Sequence, residues 1–338
     1  MGSALLMCFV PVVACQAPAQ SNPAPPSPFA EPTLSFDVID DGPAVDPADF
    51  GAAYLLPGAA IIEAGTHHLY PVAFYADPAQ QPRVLHLSSD DGVTWDGDAD
   101  ASVLEDFSIG LADPGPVPSS GFVDADGTWT MYGGGRLPTG DRSIIWRATA
   151  PGPDGPWTAG PEPVLEPSRD GWDSGITDHP SVRATDNGYL MAYGGADRAQ
   201  PNRNRIGIAT SDDGISWTRQ PATLGGADDS DALGPEACGV DARTMFEPHL
   251  VGTGDDLLLT FGVMVDGPDE EMQILGATSS DGTNWACVAH EALVDSADFP
   301  LSPDLHSFVT FGDDGDTAML IEVLRDEASE LWLAPGSG

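Results

Sequence analysis

The chain has 338 residues, 41% of them hydrophobic, which is enough to bury a sizeable core. Acids outnumber bases by 53 to 12, every base is arginine, and the formal net charge is −41. That charge excludes nucleic-acid binding by counterion release and repels anionic lipid headgroups, leaving solubility as its plain role.

Residues 4–14, ALLMCFVPVVA, are apolar but too short to cross a bilayer as a helix. They end in Ala14 before Cys15 and run into a Pro-, Ser- and Ala-rich stretch, the order of a signal peptide followed by a flexible tether. Val12-Val13-Ala14-Cys15 resembles a bacterial lipobox, which implies acylation of Cys15, although Met1-Gly2-Ser3 carries no basic residue. The expected layout is a signal over 1–15, a tether over 16–33 and one folded domain over 34–338. The expected location is the bacterial cell envelope, facing the periplasm or the cell surface, with the membrane reached through the lipid alone. Cys8 and Cys15 fall in the signal, so Cys238 and Cys287 are left to form one disulfide in an oxidising compartment.

From residue 34 onward no window carries helical periodicity. Short β-rich runs such as HLYPVAFYA (68–76), RSIIWRAT (142–149) and RIGIATS (205–211) lie between turn clusters, as in an all-β chain. Three segments repeat one pattern: Ser88 to Trp95, Thr210 to Trp217 and Thr278 to Trp285, with a degenerate copy from Ala150 to Trp157. The pattern reads as a hairpin in which Asp accepts backbone N–H groups, Gly takes φ > 0 and Trp inserts between sheets. The Trp residues stand 62, 60 and 68 apart. In phase with them, Pro57, Pro118, Pro180, Pro248 and His306 each open a strand-like run. Five copies long enough for four strands each predict a five-bladed β-propeller. The last copy lacks room for its fourth strand, and LSFDVID (34–40) is expected to supply it and close the ring.

In such a ring the starts of the inner strands converge on one axial cavity. Copies one and two offer Leu55-Leu56-Pro57 and Pro116-Val117-Pro118, whereas copies three to five offer Asp178-His179, Glu247 with His249, and Asp304 with His306. Two carboxyl groups in one pocket are what glycoside cleavage needs, one protonating the leaving oxygen and one activating water or attacking.

The stretches from Trp172 to Val182, from Asn187 to Tyr193 and from Arg205 to Trp217 resemble blade motifs of glycoside hydrolase families 32, 43, 68 and 130. The resemblance spans about residues 50–335. It implies Asp178 as the acid that tunes pKa and positions substrate, and Glu247 as the general acid. The first copy has no carboxylate where the base should stand, and Asp113 or Asp304 is the candidate substitute.

His179, His249 and His306 are candidates to bind sugar hydroxyls or a metal, but spacings of 70 and 57 residues give no local ligand motif. Trp172 is expected either to stack on a sugar face or to pack between blades, and Arg243 to hold Glu247 ionised or to bind an acidic sugar. No cofactor is expected, and Asp313-Asp314-Gly315-Asp316 reads as a polar turn rather than a calcium site. Gly133-Gly-Gly135 reads as a loop, and His67-His68 and Asp197-Arg198 as turns. Two roles stay open. One is a monomeric, exported glycosidase-like propeller that binds and hydrolyses an oligosaccharide. The other is a non-catalytic propeller lipoprotein that binds carbohydrate or protein.

Overall fold

The computed structural model describes residues 35–39, 42–104, 107, 109–112, 114–140, 142–224, 232–253, 256–265, 271–288, 292–299, 304–313, 316–325 and 328–337. Cys15, the signal and the tether lie outside the described residues, as does Asp113. The described residues form β-strands and three short 3-10 turns, with no α-helix among them.

The strands pair as antiparallel meanders, each called a blade here. Blade one is Tyr54–Glu63, Thr66–Phe74, Leu87–Ser89 and Asp96–Gly97. Blade two is Val117–Val123, Trp129–Arg136, Ser143–Ala150 and Thr158–Ala159. Blade three is Ile176–Thr185, Gly188–Ala196, Arg205–Ser211 and Thr218–Gln220. Blade four is Ala242–Thr253, Asp256–Val265, Met272–Ser279 and Asn284–Cys287. Blade five is Asp304–Asp313, Asp316–Arg325 and Ala328–Ser337. Ser35–Phe36 adds a fourth strand to it, opposite Ser337 and Gly336, and the N–H of Ile39 extends that pairing to the carbonyl of Leu333. The five first strands touch in cyclic order, blade one against two and so on until blade five meets blade one. The chain is a β-propeller.

The repeated hairpin shows why blades stack. Ser89, Ser211 and Ser279 accept the N–H of Gly92, Gly214 and Gly282 at 2.8–2.9 Å, and those glycines sit at φ 72, 68 and 72. Asp91, Asp213 and Asp281 each accept two further N–H groups at 2.7–2.8 Å. The accepting Asp is thus the residue before Gly, not Asp90 or Asp212 as the sequence alignment implied. Ser280 at that alignment position in the last copy is therefore harmless. Each hairpin Trp lies against the preceding blade: Trp157 packs edge-on to Tyr70 at 5.5 Å and Trp217 to Tyr132 at 6.0 Å. Trp285 joins the core shared by blades three and four, and Trp95 the core shared by blades five and one. Such a Trp buries 150–250 Å² and so fixes one sheet on the next.

His67 and His68 lie in a strand, not a turn, paired with Ile62 and Ile61 on one side and with Ser89 and Ser88 on the other. His68 is buried, bonded at 2.9 Å to His86, which in turn meets Asp154 of blade two at 2.6 Å. Asp197 does open a turn, its carbonyl accepting the N–H of Gln200. Asp313 pairs with Asp316 across the hairpin whose tip, Asp314-Gly315, is outside the described residues. Cys238 and Cys287 are joined as a disulfide, with Cα atoms 5.6 Å apart.

Candidate functional site

Every inner strand slips register at the same step of its ladder. The slips fall between Leu56 and Ala59, Pro118 and Ser120, Asp178 and Ser181, Phe246 and His249, and Leu305 and Ser307. Such bulges leave residues unpaired and re-aim their side chains. The re-aimed positions hold Pro57-Gly58, Ser119, His179-Pro180, Glu247-Pro248 and His306. Two of them, His179 at φ 45 and Glu247 at φ 49, are non-glycine residues in the left-handed region, which only Ala64 shares among the described residues. Backbone strain of this kind, about 1–3 kcal/mol each, collects at functional sites.

The ladder also corrects the proline alignment. Pro118 pairs with Gly133 at the step where Asp178 pairs with Gly194, and Pro57 stands at the step of His179 and Glu247. Prolines alone did not mark equivalent positions, because Pro118 falls before the bulge and Pro57, Pro180 and Pro248 inside it.

The slip brings three of the expected residues together. Glu247 Oε1 is 3.8 Å from His179 Nε2, and His179 Nδ1 is 3.8 Å from Asp178 Oδ1, so one imidazole stands between two carboxyl groups. The backbone N–H of His179 donates to Asp178 Oδ1 at 2.9 Å. Glu247 Oε2 accepts the Ser307 hydroxyl at 3.0 Å and the Phe308 N–H at 3.3 Å. The Glu247 side chain is only 12% exposed, against 26% for Asp178 and 37% for His179. Burial pushes the Glu247 carboxyl above its usual range. The His179 charge and the two hydrogen bonds oppose that shift, and Glu322 adds to it. A carboxylic acid so placed holds a proton at higher pH than an exposed one.

These groups face a small cavity of about 20 Å³, lined by Leu56, Gly58, Val117, Pro118, Ser119, His179, Glu247, His249, Ser307 and Phe308. That is room for about one water molecule. His249 is buried beneath it with Nε2 2.9 Å from the Phe308 carbonyl, and burial lowers its pKa to about 3, so the ring is neutral. Toward the other end of the inner strands, Arg183 donates from Nε to the Leu250 carbonyl at 2.8 Å.

His306 takes the Glu247 position on blade five. Its Nδ1 is 2.9 Å from Glu322 Oε2, a carboxylate with no exposed surface that also accepts the Ser329 hydroxyl at 2.8 Å. That hydrogen bond raises the His306 pKa, while burial works against it. The three imidazoles thus have different partners and purposes.

The other expected residues are not gathered here. Asp304 is exposed at the start of its strand, and no described hydrogen bond or ion pair joins it to Asp178 or Glu247. Arg243 is exposed in a separate irregularity, between Ala242 and Thr244. His179 and Glu322 act on the Glu247 carboxyl, which in turn acts on His306. Trp172 is half-buried and stacks on Tyr193 at 5.7 Å, over Gly195 and Gly207 of its own blade. It also packs against the core that Tyr132 and Ile145 of blade two share with blade three, the inter-blade packing expected of it.

Sequence reasoning missed two contributors. Gly133-Gly-Gly135 is not a loop; it lies in Trp129–Arg136. A Cβ at Gly134 would collide with the Asp178 carboxylate, so the bare glycine is what lets Asp178 rest against blade two. Glu322 was missed because its signal, one acid within the apolar run 318–324, does not say which residue it meets.

Similar solved structures share this architecture. The GH43_1 enzyme from Xanthomonas citri, complexed with xylotriose, matches with TM-score 0.58 and 14% identity over 87% of this chain and 89% of its own. The α-L-arabinofuranosidase PaAbf62A from Podospora anserina, in complex with cellotriose, gives TM-score 0.59 and 14% identity over 90% and 98%. A structure of the GH130 family, in work on hydrolases that target β-1,2-mannosidic linkages in Candida mannan, gives TM-score 0.63 and 14% identity over 91% and 95%. No family model and no curated protein matches the chain. The protein therefore has the fold of the propeller glycoside hydrolases, with His179 and Glu247 at the mouth of the small cavity where the inner-strand bulges meet.

Proposed function

We propose that the chain binds a glycan at this mouth and that Glu247 protonates the leaving oxygen of a glycosidic bond there. The observation that carries it is a nearly enclosed carboxyl group, raised in pKa, facing the one cavity where the inner-strand bulges of several blades converge. A sugar alkoxide is a poor leaving group, so bond cleavage needs a proton delivered in the transition state. Asp178 acts on the same event indirectly, fixing the His179 backbone and ring beside Glu247. Two of the similar structures hold trisaccharides, which supports a saccharide as the ligand.

A non-catalytic, glycan-binding role is favoured by one specific observation: blade one presents Leu56 and Gly58 to the cavity where a second carboxylate would serve as base. Asp113, which lies outside the described residues, is the acid proposed for that task.

Leaving-group dependence separates the two roles. If Glu247 is the acid, Glu247→Gln should lose about 10²–10⁴ in rate on oligosaccharides. It should keep most activity on dinitrophenyl glycosides, whose leaving group needs no proton. Equal loss on both substrates would remove Glu247 from that role. Binding without turnover in the wild type would establish the non-catalytic alternative.

We also propose that the protein is exported and held at the envelope by acylated Cys15. Metabolic labelling with a fatty acid should mark the wild type and not Cys15→Ser; equal labelling refutes the anchor.

A further inference from the structure

The wall of the cavity is chemically divided. Blades three to five bring His179, Glu247, His249 and Ser307, with Phe308 their one apolar side chain, whereas blades one and two bring Leu56, Gly58, Val117 and Pro118, with the Ser119 hydroxyl their one polar group. A pyranose is divided in the same way, with hydroxyls around its edge and C–H bonds on its faces.

The apolar side continues beyond the cavity. Tyr54 lies two residues before Leu56 in an unbroken stretch of ladder, so both side chains leave the same face of blade one. At strand spacing the two are about 7 Å apart. Tyr54 is paired across the ladder with Phe74, and their rings stack with centroids 4.3 Å apart and planes inclined by 10°. Phe74 and Leu56 are themselves packed against the core between blades one and two, so the lower ring is anchored. Tyr54 is 36% exposed. The other large hydrophobic side chains this exposed among the described residues, Val93 and Ile215, sit at hairpin tips instead.

Resting on the glycan-binding role above, we propose that Tyr54, backed by Phe74, is a stacking platform for a second sugar unit, one residue along the chain from the bond at Glu247. The ligand class follows from the surface. A flat ring accepts a sugar face that shows only C–H groups, as in a unit whose hydroxyls are all equatorial; an axial hydroxyl on that face would hold the rings apart. Stacking relies on dispersion and needs no cation, which suits a chain of net charge −41. The glycan then lies over the first strand of blade one, its hydroxyl edge turned toward His179 and Glu247.

The experiment is calorimetric titration of the full chain with oligosaccharides of two to four units, chosen from an array as those the wild type binds, and with the matching monosaccharides. Loss of a stacking contact of aromatic type lowers affinity about two- to ten-fold. Tyr54→Ala and Tyr54→Leu should both show this loss for oligosaccharides, Tyr54→Phe should retain wild-type affinity, and monosaccharide binding should be equal in all four proteins. Tyr54→Leu keeps apolar bulk and guards against loss through misfolding. Oligosaccharide affinity unchanged in both variants overturns the platform and leaves Tyr54 and Phe74 as a packing pair. Failure of the wild type to bind any glycan overturns instead the role on which it rests.

Discussion

Removing the His306 ring should destabilise the protein through a residue that is not itself exposed. Glu322 has no exposed surface, and its oxygens are held by His306 Nδ1 at 2.9 Å and the Ser329 hydroxyl at 2.8 Å. In His306→Ala the carboxylate keeps one neutral partner and loses the other, although the His306 side chain is 53% exposed and its removal lets water in. Removing one partner of a buried acceptor costs about 1–3 kcal/mol. With about 2.1 cal/mol/K of unfolding entropy per residue over roughly 300 residues, that is a fall in Tm of about 2–5 °C. Glu322→Gln added to His306→Ala should recover most of the loss, since a neutral amide needs no countercharge and still accepts the Ser329 hydroxyl. The pH dependence has a definite sign. The His306 pKa is raised in the folded state, so its contribution is complete below about pH 6.5 and fades as pH rises through the folded value. The gap between wild type and His306→Ala should therefore narrow in alkali. The assay is thermal unfolding by circular dichroism of wild type, both single variants and the double variant, from pH 5 to pH 9. A shift under about 1 °C, or a double variant no more stable than His306→Ala, refutes the pairing as the source of stability.

Other consequences are as direct. In Gly134→Ala the new Cβ would collide with Asp178 Oδ1 and lie 2.6 Å from its Cγ, so the carboxyl must turn aside by more than about 1 Å. A displacement near 1 Å in a catalytic group costs up to about 10² in turnover, whereas Gly110→Ala, which meets nothing within 4 Å, should cost nothing. Similar kinetics for the two variants would discard the account of Asp178. Cys287→Ser opens a loop of 49 residues, worth about 4 kcal/mol in denatured-state entropy, and urea unfolding should show it. Burial lowers His68 to about 4, with His86 adding to the effect, and lowers His249 to about 3. Protons then bind the unfolded chain first, so stability is full above pH 6.5 and falls by up to about 1.4 kcal/mol per pH unit for each ring below it. His249→Gln should flatten that slope between pH 6.5 and pH 4; an unchanged slope would contradict its neutral, buried state.

What the sequence determined by itself was local. The hairpin from Ser89 to Trp95 and its copies hold their own hydrogen bonds within seven residues, so spacing alone revealed them, and their period revealed the propeller. Glu247, Asp178 and His179 were legible for the same reason, since each stands near a repeated proline. The ladder register was not legible, because the proline falls before the bulge in one blade and inside it in another. A one-residue slip sends a side chain to the opposite face of its sheet. That is why Asp304 was grouped with Glu247, although the structure leaves it exposed outside the cluster. The pairing of His306 with Glu322 and the seat of Asp178 on Gly134 were equally hidden. Both join residues on different strands, 16 positions apart in one case and on separate blades in the other. Such contacts exist only once bulges and blade packing have set which faces meet, and no short window of sequence contains that information.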